Sequence, residues 1–394
     1  EVLGDDQLAV YIEDHETMTK STEGEKKDEG TLEEEWMKVY LDDIPEVYQK
    51  DRQEVVRMLA RAEPRYAPNI IGFLKKYKKL FLAPEHFDDL PKVVEHAIRL
   101  SEGAKPPCKA QIRLGPSELQ ALQETIKKMV ARGFLEPSSS PFGAPVLMVP
   151  KPTTDGKKEW RMVVDFRGLN NITVSDRYLL PSIDLLLHQL QGSEMFSSLD
   201  MADGFFQVPL AENARELCTM RTQLGSYQYT VMPMGLSNSP ATFQRLVNWV
   251  MGDLLNSIAV CYLDDLGVHS NKGDAHVKAL EQVFDALDKA GMRLKLKKCN
   301  LFQTSLRLLG FRVSEKGIIP EPSKVEVIND YPKPENLPEV LRFVGMCHLY
   351  KSSIADLGGL AAPLNDLIKK GVAWKWRDEV EQANFEEIKK RLVK

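Results

Sequence analysis

The chain reads as an α+β protein. Three observations predict this. Short apolar, strand-like runs occur singly or in hairpin pairs, without the alternating βαβ rhythm of a doubly wound sheet. Several segments carry apolar residues at helical spacing behind recognisable helix starts. From Pro320 onward the pattern is helical. No internal repeat is visible. At 394 residues the chain can hold two or three subdomains with a sizeable core, and 43% hydrophobic with 28% charged residues is a globular composition.

Residues 1–31 are polar and acidic, and Ser21 to Gly30 reads as linker or disordered tail. An N-terminal helical extension follows over 32–104, with helices expected near 45–62 and 69–80. Ser117-Glu-Leu-Gln120 has the form of a capping box. Leu119, Leu122, Ile126, Met129 and Val130 then repeat at helical spacing, with Gly133 as the stop. Pro137 to Pro145 is a Ser/Pro-rich loop. Val146–Val149 and Trp160–Asp165 read as a strand pair around a turn at Thr153–Gly156, and Met195–Met201 as a further strand. Ser239-Pro240 starts a helix with Pro at its first position, carrying Phe243, Leu246, Val247, Val250 and Leu254 as its apolar stripe. A helix over 273–290, a basic segment Arg293–Lys298 and short strands around Leu308–Val313 complete the central part.

Five scattered cysteines without a Cys-x-x-Cys pair exclude zinc knuckles and dithiol redox motifs, and fit reduced thiols inside a cell. The acidic N-terminus is unlike a secretory signal, and no apolar run reaches the ~18 residues of a membrane span. The net charge of −5 is unevenly spread: residues 1–60 hold 7 basic and 18 acidic side chains, leaving 45 basic against 39 acidic in the rest. The body is therefore mildly basic and can form a local patch for a polyanion.

Tyr262-Leu263-Asp264-Asp265 sits inside an apolar run, Ile258–Cys261 before it and Leu266–Val268 after. Burying a lone carboxylate is strongly unfavourable. At a hairpin tip the pair becomes tolerable and concentrates negative charge suited to a hard dication such as Mg²⁺. An ordinary Asp-Asp turn is the alternative.

From roughly Leu41 to Lys394 the chain resembles, on six ordered motifs, the reverse transcriptase region of a Ty3/gypsy-type long-terminal-repeat retrotransposon Pol polyprotein. They are Trp160–Asn170 (RMVVDFRGLN after the Trp), Ser198–Gln207 (SLDMADGFFQ), Met232–Gln244 (MPMGLSNSPATFQ), Tyr262–Asp265 (YLDD), Leu308–Phe311 (LLGF), and a tail with Leu341–Gly345, Tyr350, Pro363–Leu367 and Trp374–Trp376. The resemblance implies a right-hand polymerase: fingers over 105–194, palm with an antiparallel sheet over 195–315, thumb and the start of a connection segment over 316–394. No D-[ST]-G protease triad is seen, and the ribonuclease H module is expected beyond the last residue.

By the same resemblance, Asp200, Asp264 and Asp265 bind two Mg²⁺ ions, with Mn²⁺ as a substitute, and carry catalysis. Asp200 and Asp264 lead, since neighbours on a strand face opposite ways; adjacent antiparallel strands must unite them. Arg161 and Lys151 would grip the triphosphate, a task suited to a guanidinium fork and an ammonium. The Asp203 and Gly204 amides would meet phosphate, Phe205 would be the aromatic gate against a 2′-hydroxyl, and Met234 and Gly235 would line the nucleotide pocket, with Met234 where Phe is usual. Asp165 and Arg167 are either a structural or a template-contacting pair. Tyr262, Leu309, Gly310 and Phe311 would hold the primer end. Lys295, Lys297 and Lys298 are either phosphate contacts or a solvated edge.

The implied activity is RNA- and DNA-directed DNA synthesis, with template–primer and deoxynucleoside triphosphates as substrates. The implied partners are ribonuclease H and integrase modules of the same polyprotein, and the implied setting is a cytoplasmic virus-like particle or the nucleus. Two alternatives stay open: a catalytically silent, host-retained nucleic-acid-binding protein, and an RNA-synthesising palm polymerase.

Overall fold

The computed structural model describes residues 43–151, 159–369, 371–372 and 374–393. The acidic segment 1–31 and the Thr153–Gly156 turn lie outside the described residues. Twelve short strands form three sheets among the described residues, and helices surround them.

The N-terminal helices run from Arg52 to Arg61 and from Ala67 to Lys76. Their apolar faces bury Val55, Met58 and Leu59 on the first and Ile70, Ile71, Phe73 and Leu74 on the second. The second helix and the residues after it pack on the long helix Gly273–Ala290: Phe73, Tyr77 and Phe81 set their rings around Phe284 at 5.2, 5.5 and 5.3 Å. Offset and edge-on arrangements of this kind add to the area each ring buries.

The next helix spans Pro116–Ala131 and corrects the capping box read from the sequence. Its cap is Gly115, not Ser117. Pro116 takes the first helical position, where its missing N–H costs nothing, and the Glu118 carboxylate accepts from the Gly115 N–H at 2.6 Å. Strands β1 (Leu135–Pro137), β2 (Ala144–Lys151) and β3 (Glu159–Val164) follow. They join β5 (Thr219–Thr222) and β6 (Gly225–Tyr229) in a five-stranded sheet of order β1-β6-β5-β2-β3, parallel only between β2 and β5. The β2–β3 ribbon pairs Val149 with Arg161 and Lys151 with Glu159.

The central sheet has order β7-β8-β4-β9 and is antiparallel throughout, as expected. It is built from β4 (Met195–Asp200), β7 (Ala259–Tyr262), β8 (Asp265–Ser270) and β9 (Asn300–Gln303). Both faces of the sheet carry apolar side chains because both are covered. On one face Leu199, Cys261, Leu266 and Val268 join the large core shared with the N-terminal helices and the five-stranded sheet. On the other, Phe196 and Val260 join a second core built from the C-terminal helices.

That second core includes a three-stranded sheet, β10 (Ser305–Leu308), β11 (Phe311–Ser314) and β12 (Gly317–Pro320), and the helices Pro322–Asn329, Leu337–His348, Leu357–Ile368 and Ala383–Val393. The turn between β10 and β11 is Leu309-Gly310, with φ of 52° and 84°. Two consecutive positive φ values make a tight hairpin, and the second falls on glycine, which adopts them without a Cβ clash. Phe311 stacks obliquely on Tyr350, 5.2 Å between centroids, which fixes this hairpin to the C-terminal helices.

Candidate active site

Each acidic residue singled out above reaches one edge of the central sheet by a different route. Asp200 ends β4, and its register partner on β8 is Asp265. Residues directly opposite on antiparallel strands share a face, so pairing brings Asp265 beside Asp200. Asp264 lies on the two-residue turn between β7 and β8, and together with Asp200 it lines a cleft of roughly 540 Å³. Positions 64 apart in the chain thus meet through one strand pair, as the sequence required.

The turn is strained. Leu263 has φ 57°, a left-handed conformation that a branched side chain adopts only when its surroundings impose it. The constraint comes from Gln244, almost fully buried on the helix Ser239–Met251, whose Oε1 accepts from the Leu263 N–H at 2.8 Å. Gln244 is itself held by Asn248, to which its Nε2 donates at 2.9 Å, and Asn248 donates to the Tyr178 hydroxyl at 2.6 Å. The Cys261 thiol also points at the Leu263 carbonyl. Gln244 ends the third motif, and nothing in its spacing announced this role.

Electrostatics at the edge favour a cation. Enclosure by the protein, then the charges of Asp264 and Asp200, raise the Asp265 carboxyl above its ordinary range, with Lys298 pulling the other way. Asp265 is an exposed residue, so like-charge crowding is the cause with the firmer basis here. Lys298 answers part of that crowding: its Nζ lies 2.8 Å from Asp200 Oδ2. Three hard carboxylates in mutual repulsion, one of them already carrying an ammonium, fit a divalent cation. No three His, Cys, Asp or Glu side chains form a preassembled ligand set among the described residues.

The opposite wall of the cleft is made by Arg161, Met162 and Val163 of β3 and by Met234 and Gly235. Asn170 ties the first and third motifs together here, donating to the Gly235 carbonyl at 2.9 Å and accepting from the Ser237 N–H at 2.9 Å. Met234 is half-exposed. Lys151 lies apart, in an exposed ion pair with Glu159 at 2.8 Å. Asp165 and Arg167 form a two-pronged ion pair at 2.8 and 2.9 Å that Lys109 joins, and Arg167 first of all holds the Asp165 carboxyl well below the usual range.

The floor is the turn after β4. Asp203 and Gly204 both have positive φ, 58° and 50°. Gln207, fully buried, donates to the carbonyls of Ala202 and Arg293 and accepts from the Arg293 N–H. Phe206 lines the cleft, whereas Phe205 is half-buried beside it with its ring edge-on to Phe243 at 5.3 Å. Lys295 and Lys298 border the cleft; Lys297 does not line it. Tyr262 ends β7, and the Leu309–Phe311 hairpin lies with the C-terminal core.

Residues 149–313 match the family described as reverse transcriptase (RNA-dependent DNA polymerase). These residues form a reverse transcriptase domain. Its relatives include the retrovirus-related Pol polyprotein from transposon 412 of Drosophila melanogaster, 34% identical over 280 residues, covering 70% of this chain and 22% of the relative. The Tf2-3 transposon polyprotein of Schizosaccharomyces pombe is 31% identical over 330 residues, covering 83% of the chain and 24% of the relative. The chain thus spans about a quarter of the length of these curated relatives. A foamy viral protease–reverse transcriptase solved with double-stranded DNA superimposes at a TM-score of 0.74 and 24% identity, over 86% of this chain and 60% of that one. The same viral protein solved with an RNA/DNA hybrid gives 0.70 at 24% identity, over 87% and 46%. This likeness establishes the right-hand polymerase fold for the chain. The central antiparallel sheet is then the palm of a reverse transcriptase domain, and its acidic edge lies where the family's second and fourth motifs meet.

Proposed function

We propose that the chain is an RNA- and DNA-templated DNA polymerase that extends a primer from deoxynucleoside triphosphates, as the reverse transcriptase part of a retrotransposon Pol polyprotein. On this reading 105–194 are the fingers, 195–315 the palm, and 316–394 the thumb and start of the connection. The observation that carries the proposal is the β4–β8 register, which sets Asp200 against Asp265 with Asp264 on the adjoining turn.

The reaction is attack of a primer 3′-hydroxyl on an α-phosphate with departure of pyrophosphate, chemistry that needs alignment and charge neutralisation above all. Asp200, Asp264 and Asp265 would hold Mg²⁺, whose contribution is to lower the pKa of the attacking hydroxyl and neutralise charge on the leaving oxygen. Arg161, projecting from β3 into the same cleft, is placed to bind triphosphate oxygens with its planar fork. Asp203 and Gly204 line the cleft floor, and their amides, without a protein partner among the described residues, suit a phosphate. Gln244, by holding Leu263, keeps Asp264 and Asp265 in a fixed relation to Asp200. Template–primer binding is expected to be dominated by backbone phosphates, and so to weaken steeply with salt.

Primer extension on poly(rA)/oligo(dT) with Mg²⁺ tests the proposal. Incorporation of dTMP is the expected result. A well-folded protein that binds the hybrid without extending it would instead fit a retained nucleic-acid-binding protein.

Phe205 is proposed as the sugar gate, since it directly follows Gly204 of the cleft floor, with its ring beside the cleft against Phe243. Phe205→Val should then raise ribonucleotide incorporation by about 10-fold or more relative to deoxyribonucleotide, the scale of removing one steric exclusion. Competition between rNTP and dNTP in single-nucleotide extension measures it. Unchanged discrimination assigns the ring to packing on Phe243 alone.

A further inference from the structure

We infer that Arg132 is a positioning residue for the nucleotide: it sets the shape of the Asp203–Gly204 turn and withholds the Asp203 charge from the cleft. The inference rests on the polymerase reading above and adds to it a residue that none of the motifs contains.

Arg132 caps the helix Pro116–Ala131, 71 positions before its partner. Its Nη2 donates to Asp203 Oδ2 at 2.5 Å and to the Pro84 carbonyl at 2.7 Å. Its guanidinium carbon lies 4.1 Å from the centroid of the Phe134 ring. The backbone is fastened as well, since the Arg132 carbonyl accepts from the Phe87 N–H at 2.9 Å. Both partners of the ion pair are 29% exposed. A side chain fixed by a carboxylate, a carbonyl and an aromatic face has little rotamer freedom left to lose, unlike an ordinary surface pair.

What this clamp holds is unusual. Asp203 takes a left-handed conformation, with Gly204 directly after it. Glycine tolerates that backbone freely; aspartate enters it more readily than most residues but at a cost, which a fixed side chain helps to offset. Gln207 fixes the turn from the side of Arg293; Arg132 fixes it from the side of the helix. Among the described residues neither the Asp203 nor the Gly204 N–H has a protein partner. Two such amides at the floor of a cleft walled by Arg161, Lys295 and Lys298 are set to receive an anion.

The charge argument is separate from the shape argument. An unpaired carboxylate at position 203 would stand in the same cleft as a triphosphate and repel it. Pairing with Arg132 diverts that carboxylate toward the helix, which also accounts for Asp203 not joining Asp200 and Asp264 as a cation ligand. Losing Arg132 therefore both loosens the phosphate-facing turn and adds a negative charge beside the nucleotide.

The test is steady-state single-nucleotide extension on a primed hybrid with wild type, Arg132→Ala, Arg132→Lys, Asp203→Asn and the Arg132→Ala/Asp203→Asn double variant. Hybrid affinity and Tm are measured for each. The expected result is a KM for dNTP raised about 10-fold by Arg132→Ala with kcat changed far less, the scale of one charged hydrogen bond. Arg132→Lys should fall between the two. Asp203→Asn in the Arg132→Ala background should recover part of the loss, showing coupling rather than addition. The inference is overturned by additive effects, by an unchanged KM, or by losses that track hybrid affinity or Tm alone. If Arg132→Ala does not fold, Arg132→Lys and Asp203→Asn decide by the same KM criterion. A wild type that neither extends primers nor binds dNTP overturns the polymerase reading and this inference together; an active wild type with an indifferent Arg132 overturns only the inference.

Discussion

Asp200→Asn and Asp264→Asn should each lower primer extension by about 10³-fold or more while leaving hybrid binding intact, the scale of losing a charged group that acts on a phosphoryl transition state. The asymmetry follows from where the residues sit. Both line the cleft, but neither is part of either apolar core, so amide for carboxylate changes charge and little else. Removing one negative charge from a surface that receives a polyanion should leave affinity for the hybrid equal or slightly tighter. Asp200→Asn also weakens the contact with Lys298, which is half-exposed and so contributes little to stability. Extension assays beside fluorescence anisotropy on the same hybrid separate the two effects. Turnover retained by either variant would remove that carboxylate from the chemistry.

Phe302→Ala should destabilise the fold by about 3–5 kcal/mol, the range for truncating a buried aromatic. Phe302 is fully buried, stacked 4.4 Å from Tyr66 and within aromatic contact of Phe73 and His276. It occupies the irregular stretch where β9 slips register against β4, and its φ of 52° is maintained there by the Ser197 hydroxyl, which accepts from its N–H at 3.0 Å. The ring is the point at which the N-terminal helices, the long helix 273–290 and the palm sheet meet. Denaturant unfolding reads the change, and a loss under 1 kcal/mol would mean that neighbouring rings close the gap.

Much of the fold was legible because the strands that matter are patterned strongly. The β2–β3 ribbon, β4, the hairpin at Tyr262–Asp265 and the helix from Ser239 all lie where apolar runs and turn or cap residues placed them. The strands β5 and β6 were not assigned: they are four and five residues long and lack a clean in–out alternation, so period-two reasoning has little to act on. The cap of the helix at Pro116 was misplaced by two residues because a Ser three positions before a Gln imitates a capping box, while proline and Glu118 fix the true start. The three carboxylates stood out as residues. Alternation along a strand ranked Asp264 over Asp265; Asp264 lies on the turn and lines the cleft with Asp200, while Asp265 opens β8 opposite Asp200. Gln244 and Arg132 were invisible in these roles for a simpler reason. Each acts on a backbone or carboxylate far away in sequence, and one-dimensional spacing carries no sign of such a contact.

The palm strands are upholstered on both sides: Leu199 and Val268 press into one apolar mass, Phe196 and Val260 into another. A shortened chain obtained by trimming everything after Gln303 would therefore bare a greasy sheet surface directly behind its acidic edge. Solubility, rather than chemistry, would set the minimum size to which this chain can be pared.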